Sequence, residues 1–380
     1  MEKLKNSFLL VLFLGFLFFI TDKLFLIPEI KKISMYYKKV EIFFYESRYD
    51  LFEFFKKQEK NNYALIFGSS RSGMFIPKDF KENISFDVDV YNFSAPLAGT
   101  SFYYYWLERF LQEMNKKPKF ILMELDAINL GEPSLRISLP FSYDPSFVIR
   151  HLDFYRDLPP KIPNHKEFIK DVFSSRYKGF NADEVDSYFV RYFFIIGRYE
   201  IHPMKIWENL KKLDSWNPQT NQMEKIPIYK IINKMKEKHI QSFYETYGGI
   251  PIEFYTKIPE ENLERDAQKI FLRIFPEPKI STTQLIFLRN ILETCKKQQI
   301  PLIIYKPPMT VYANQILKKY NFYNLEFIDT ILTSYPNTFY IDTSHLNCNE
   351  FTDSVHLSPR CYSKLTNYIF SKVIQEFYHF

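Results

Sequence analysis

A serine hydroxyl becomes a nucleophile only when a base takes its proton, and an imidazole serves as that base only when its tautomer is fixed. Two stretches of this 380-residue chain carry residue types for that chemistry. Gly68-Ser69-Ser70-Arg71-Ser72 follows the apolar run Tyr63–Phe67, and Asp353-Ser354-Val355-His356-Leu357-Ser358-Pro359 lies near the C-terminus. An aspartate three residues before a histidine, on a loop, can hold the imidazole while its other nitrogen faces the serine. Asp342-Thr343-Ser344-His345 has the same spacing. The later pair is preferred because Ser358 and Pro359 then supply an N-cap and a first helical residue, so that the pair sits on a loop feeding a helix. The candidate catalytic set is therefore Ser70 as nucleophile, His356 as base and Asp353 as its orienting acid. Two plainer readings stand beside it: Ser70 caps the next helix, and His356 is a structural histidine. Arg71 either binds an anionic group of a ligand or pairs with a neighbouring acid.

These residues need a frame. Tyr63–Phe67 reads as a buried strand ending at Gly68, where a residue without a side chain lets the chain bend sharply and expose the next hydroxyl. A second strand over Val88–Phe93 leads into Asn92-Phe93-Ser94-Ala95-Pro96. A helix from about Ser101 to Met114 follows, and then a third strand, Phe120–Leu125. Residues 131–280 break this rhythm. They are rich in Pro, Tyr, Phe and Lys, with helical pieces such as Ile228–Phe243 and few strand signals, and they read as a large, mainly helical insertion. The alternation then resumes with a helix at Thr283–Gln298, a strand at Pro301–Lys306, a helix at Tyr312–Tyr320, a strand at Thr338–Asp342 and a helix at Pro359–Phe377. This order predicts an α/β domain over residues 63–380 with a central parallel sheet between helices, its site at the carboxyl ends of the strands. Residues 29–62, with Tyr36, Tyr37, Phe43, Phe44, Phe52 and Phe55 near helical spacing, predict a helical stalk packed on that domain.

The first 28 residues read as a signal anchor. Lys3 and Lys5 precede the uncharged run Ser7–Ile20, and continuing through Asp22 and Lys23 to Ile27 gives about 31 Å of helix, enough for a bilayer core. Asp22 and Lys23 then fall near the outer interface, where a lysine can snorkel. A cleaved signal peptide is the competing reading, but no small-x-small site follows Ile20. Either way the domain beyond residue 28 is expected outside the cytoplasm. The net charge of +6 is spread along the chain without a dense basic block among aromatics, which excludes nucleic acid as a partner. Aromatic residues make up 19% of the chain, and this fits either an AT-rich genome or a surface that binds carbohydrate or lipid. Cys295, Cys348 and Cys361 form no CxxC; they allow a Cys348–Cys361 disulfide with one free thiol, or three unpaired thiols. Glu124 and Asp126 have no histidine at ligand spacing, so neither a metal nor a cofactor is expected.

The order of GSS after the first strand, a loop after the second and DxxH before the last helix resembles the SGNH (GDSL-like) hydrolase superfamily. GSS in place of GDS is similar to membrane-anchored bacterial O-acylation proteins of the teichoic-acid D-alanylation and alginate-acetylation type, and to a single-pass bacterial membrane family of unknown function. The resemblance covers about residues 63–130 and 282–378. It implies a three-layer α/β/α domain, an acyl-enzyme on Ser70, and His356 and Asp353 in the roles given above. It also implies an oxyanion hole from the backbone N–H of Ser70, a donor at Ser94 and a donor at Asn129, although the glycine usual at the second position and the usual Gly-x-Asn-Asp string are missing. The activity implied is that of an esterase or O-acyltransferase on a cell-envelope glycan or lipid, alongside a membrane-bound acyl-transfer partner. The location implied is the bacterial inner membrane, single pass, with the main domain extracytoplasmic. A catalytically degenerate envelope scaffold that keeps the fold is the alternative.

Overall fold

The computed structural model describes residues 2–34, 40–58, 60, 62–76, 88–153, 177–199, 201–217, 222–250, 257–274, 280–319 and 334–377. Tyr36, Tyr37 and Tyr320, expected on helices, lie outside them. In chain order the elements are α1 (Glu2–Leu24), α2 (Pro28–Ser34), α3 (Val40–Lys57), β1 (Tyr63–Phe67), the short turn α4 (Ser70–Gly73), β2 (Asp89–Asn92), α5 (Thr100–Glu113) and β3 (Ile121–Glu124). There follow α6 (Glu132–Ser142), α7 (Pro145–Arg150), α8 (Ala182–Phe193), α9 (Ile195–Arg198), α10 (Pro203–Leu210), β4 (Lys212–Asn217), β5 (Gln222–Pro227), α11 (Ile228–Glu245) and α12 (Leu263–Ile274). The last elements are α13 (Thr282–Gln298), β6 (Leu302–Tyr305), α14 (Val311–Lys319), β7 (Thr338–Ile341) and α15 (Pro359–Phe377). They form two compact units, residues 1–43 with 183–240 and residues 44–182 with 241–380.

The second unit is a mixed α/β structure around a five-stranded parallel sheet in the order β2-β1-β3-β6-β7. Side chains alternate across each strand. Ala64, Ile66, Leu122 and Ile303 join one buried cluster with Leu365, Ile369 and Phe370 of α15. On the other face Tyr63 meets Phe110 and Phe67 stacks on Tyr103, both on α5, with ring centroids 5.7 and 5.9 Å apart. Burial on both faces explains why these strands read as continuous apolar runs. The chain leaves β1 for β2 on one side and returns to β3 on the other. The carboxyl ends of β1 and β3 therefore flank the switch point, where open α/β sheets leave a crevice.

From Phe44 onward the helix expected as a stalk contributes to the core of this unit. Phe44, Tyr45, Leu51, Phe52 and Phe55 are buried, and Phe55 stacks on Tyr91 of β2 at 3.8 Å between centroids. Arg48 is buried with them. Its Nε donates to Ser94 O and its Nη1 to Gly248 O, each at 2.9 Å. Among the described residues of 131–280 most elements are helices, and the antiparallel hairpin β4–β5 lies among them. Its strands KLDSWN and QMEKIP carry charges opposite one another, Asp214 facing Lys225, in place of an apolar alternation, so periodicity gave no strand signal.

In the first unit α1 holds one window, Ser7–Leu24, of mean hydropathy 2.0, long and apolar enough to cross a membrane or to serve as a signal sequence. The helix stops at Leu24, short of the expected Ile27, yet its 23 residues still span about 34 Å. Asp22 is fully buried. Its carboxylate accepts from Ile196 N at 2.8 Å and Ile195 N at 3.1 Å, and so caps α9 from outside that helix.

Arg48 offers a direct test of the second unit. Arg48→Met keeps the length of the side chain but leaves the Ser94 and Gly248 carbonyls without this donor, at a cost of about 1–3 kcal/mol for each. The variant is expected to unfold at clearly lower urea concentration in detergent, followed by near-UV circular dichroism.

Candidate active site

The turn after β1 is built around a carboxylate. Glu124, the last residue of β3, has no solvent contact. It accepts from Ser69 N at 3.0 Å, Ser69 Oγ at 2.6 Å and Arg71 Nη2 at 2.6 Å, and also from the Ser72 hydroxyl. Ser72 Oγ meets the Tyr305 hydroxyl of β6 as well. Gly68 has no positive φ; its role is space, because a Cβ there would collide with the Ser72 side chain and approach Glu124 Oε2 to 2.9 Å. The N-cap of α4 is Ser69, whose Oγ accepts from Arg71 N at 3.2 Å. The capping role considered for Ser70 therefore belongs to its neighbour. Ser70 alone in Ser69–Ser72 directs its side chain elsewhere, to His356.

His356 Nε2 lies 2.7 Å from Ser70 Oγ, and His356 Nδ1 lies 2.7 Å from Asp353 Oδ2. Ser70, His356 and Asp353 are thus brought into one line. The other Asp353 oxygen accepts from Val355 N at 2.9 Å and His356 N at 2.8 Å, which fixes the carboxylate within its own loop. Burial pushes the Asp353 carboxyl up, but the His356 charge, its hydrogen bond and these backbone donors outweigh it and hold the group below the ordinary carboxylate value. The loop is held from several sides. Thr352 N donates to His356 O at 2.9 Å, Thr310 Oγ1 to Ser354 O at 2.7 Å, Ser354 N to Asp266 Oδ2 at 3.0 Å and Ile258 N to Thr352 O at 2.6 Å. A Cys348–Cys361 disulfide brackets it, and the Tyr362 hydroxyl donates to Arg71 O, tying α15 to the serine turn. Ser358 caps α15 as the sequence implied, accepting from Cys361 N at 3.3 Å. The competing pair, Asp342 and His345, is 3.6 Å apart on the surface, with side chains 53% and 79% exposed.

Three expected ligand contacts turn inward instead. Arg71 is buried between Glu124 and Asp126, and its Nη1 also touches Met309 Sδ at 3.3 Å, so it pairs with neighbouring acids and not with a ligand. Burial works against its charge, but Asp126 and Glu124 more than restore it. Burial likewise pushes the Asp126 carboxyl up, while Arg71 and the Ile128 N–H bring it below its ordinary value. The Ser94 N–H, expected to face an oxyanion, donates to Asn92 Oδ1 at 3.0 Å. An asparagine two residues before it offers the nearer acceptor. Asn129 Nδ2 donates to Tyr103 OH at 2.9 Å, Glu124 Oε1 at 3.1 Å and Ala98 O at 3.2 Å, and Asn129 is fully buried. The demand of a buried carboxylate for donors accounts for this. By sequence Glu124 and Asp126 were weighed only as metal ligands and Lys306 was not singled out, although an acid at the end of the apolar strand FILMEL was a visible signal. Burial brings the Lys306 ammonium down to about 8 against the opposing pull of Asp126. Among the described residues no group of His, Cys, Asp and Glu could hold a metal.

Fold and site define a parallel-sheet α/β protein with a Ser–His–Asp hydrogen-bonded line beside the carboxyl end of β1. A family model, "Protein of unknown function (DUF1574)", matches residues 4–373, and the chain belongs to that family. No curated protein matches it.

The disulfide spans 13 residues of sequence, so its loss in a Cys348→Ser/Cys361→Ser variant is expected to lower stability by about 3 kcal/mol, read from urea midpoints with and without reductant. A second outcome concerns pH. A depressed carboxylate contributes stability that is complete above about pH 4 and is lost as pH falls through its folded value. Asp353→Asn is therefore expected to flatten the acid limb of the stability profile below that pH, measured as urea midpoint against pH.

Proposed function

We propose that this protein is a membrane-anchored SGNH-type esterase or O-acyltransferase that acts on a cell-envelope glycan or lipid through an acyl-serine intermediate. The observation that carries this reading is the line Ser70–His356–Asp353, with 2.7 Å at both hydrogen bonds. In the reaction Ser70 Oγ attacks an ester carbonyl carbon while its proton passes to His356 Nε2. The tetrahedral oxyanion, taken up by the Ser70 backbone N–H, collapses; the ester C–O bond breaks and the leaving alkoxide takes the proton from His356. A water or sugar hydroxyl then gives its proton to His356 and attacks the acyl-serine; the acyl C–Oγ bond breaks, and the departing Ser70 Oγ takes that proton back from His356. Asp353 stabilises the imidazolium formed in each half. The GSS and DxxH motifs and the parallel sheet support the SGNH assignment. Helix α1 supports a single pass through the bacterial inner membrane, and the disulfide supports an extracytoplasmic position for the main domain. A membrane-bound acyl-transfer partner would supply the acyl donor.

A second reading is favoured by one specific observation. The Ser94 N–H and the Asn129 amide are both committed within the protein, and loss of an oxyanion donor costs about 10²–10³ in rate. On this reading the chain is a degenerate envelope scaffold that keeps the fold.

A fluorophosphonate probe on the full chain in detergent separates the two. Labelling is expected in the parent, absent in Ser70→Ala and His356→Ala, slowed on the order of 10⁴-fold in Asp353→Asn, and unchanged in the surface variant Asp342→Asn. A folded parent that takes no label would leave the scaffold reading.

A further inference from the structure

The first unit turns apolar side chains outward. On α10, Met204, Trp207 and Leu210 recur every third residue and are 69%, 69% and 43% exposed. The polar Asn209 of the same helix is buried and donates from Nδ2 to Ile33 O of α2 at 2.9 Å. This is the reverse of a helix on a water-soluble surface. On α8 the exposed residues change along its length, from Asp183 and Asp186 at the start to Val190 and Phe193, with the cationic Arg191 between them, at the end.

The apolar end of α8 sits at a defined level on α1. Lys23 Nζ bonds to Phe193 O, Asp22 caps Ile195 and Ile196, and the rings of Phe18 and Phe194 are 5.8 Å apart. Phe193 and Phe194 therefore lie beside residues 18–23, within about 9 Å of the end of the apolar helix. Exposed Leu24, Leu26 and Ile27 continue the apolar surface toward α2, on which α10 packs. Between residues 203 and 240 the sequence has eight lysines against four acidic residues. Lysine stems can lie along acyl chains while their ammonium groups reach phosphate.

We propose that this unit rests in the surface of the bilayer, with Phe193, Phe194, Met204, Trp207 and Leu210 in the boundary between headgroups and acyl chains. An interfacial helix buries its apolar face by about 5–10 Å there, the depth that the attachment of α8 to α1 provides. The inference rests on reading α1 as a membrane anchor. The chain is then held by an interfacial platform as well as by a single helix.

The test uses the full chain reconstituted in phosphatidylcholine–phosphatidylglycerol vesicles, with and without bromine on the acyl chains near the headgroup. Tryptophan emission is compared between the parent and Trp207→Phe. The expected result is a component quenched by brominated lipid, unaffected by aqueous iodide and lost in Trp207→Phe. Quenching of that component by iodide alone would overturn the proposal, and so would shielding from both quenchers, which would place Trp207 against protein. Flotation on a density gradient keeps the two readings apart. A chain that fails to float with the vesicles sinks the anchor reading and this inference with it, whereas a chain that floats with Trp207 in water sinks this inference alone.

Discussion

A carboxylate without solvent must collect its hydrogen bonds from the chain around it, and Glu124 collects most of them from the turn that carries Ser70. Removing a charged group from water costs several kcal/mol unless it is paired and fully bonded. Ser69, Arg71 and Ser72 meet that demand together, so the conformation of the turn follows from Glu124 at the end of β3. Ser70 is the side chain left over. Its exposure thus follows from what its neighbours must do, and no backbone strain at Gly68 is needed to produce it. Register matters here too. Leu65 lies opposite Ile121 and Phe67 opposite Met123, which sets Glu124 one residue beyond the last paired position of β1 and under the turn that follows.

The histidine loop solves a different problem. It is closed on itself by Asp353 onto its own backbone, Thr352 onto His356 and the disulfide around both, and it is tied outward through Ser354 to Thr310 and Asp266 and through Thr352 to Ile258. Net values of about 0.5–1.5 kcal/mol for each hydrogen bond are too small singly to fix a geometry, but several acting on one short loop are enough. What aligns this loop with the serine turn is a small set of long-range contacts on Arg71. The Tyr362 hydroxyl binds its carbonyl, and Met309, next to Thr310, which holds Ser354, touches its guanidinium. Arg71 thus serves both halves of the site: it neutralises the acids below the turn and receives the helix that follows the loop.

How much of this was legible in the sequence depends on the range of the interaction. The parallel strands and their flanking helices were readable because burial on both faces or on one writes itself into local periodicity. Ser70, Asp353 and His356 were readable because their spacing and their position before Ser358-Pro359 are local as well. The partners of Arg71, Ser94 and Asn129 were not. Each depends on an acceptor whose demand is set by burial, and burial of Glu124 is a property of the assembled sheet. Arg48 shows the same limit, since its acceptors, the Ser94 and Gly248 carbonyls, are brought to it only by the fold. The hairpin β4–β5 was missed for the opposite reason, because it is polar enough to carry no periodic signal.

The commitment of Ser94 and Asn129 bears on what kind of catalyst the proposed site would be. A Ser–His–Asp line supplies a nucleophile and a proton path, whereas stabilisation of the oxyanion is usually the larger electrostatic contribution. Beneath the serine turn the buried charges are Glu124 and Asp126 against Arg71, with Lys306, whose ammonium burial brings down to about 8, acting on the same group. Glu124, Asp126 and Arg71 are committed to one another, so the guanidinium is not turned toward an oxyanion at Ser70. Further donors would then have to come from the substrate or from a partner chain when it docks. A transferase can use such an arrangement, because a site that completes its oxyanion hole only with the acyl donor in place spends little of that donor on water.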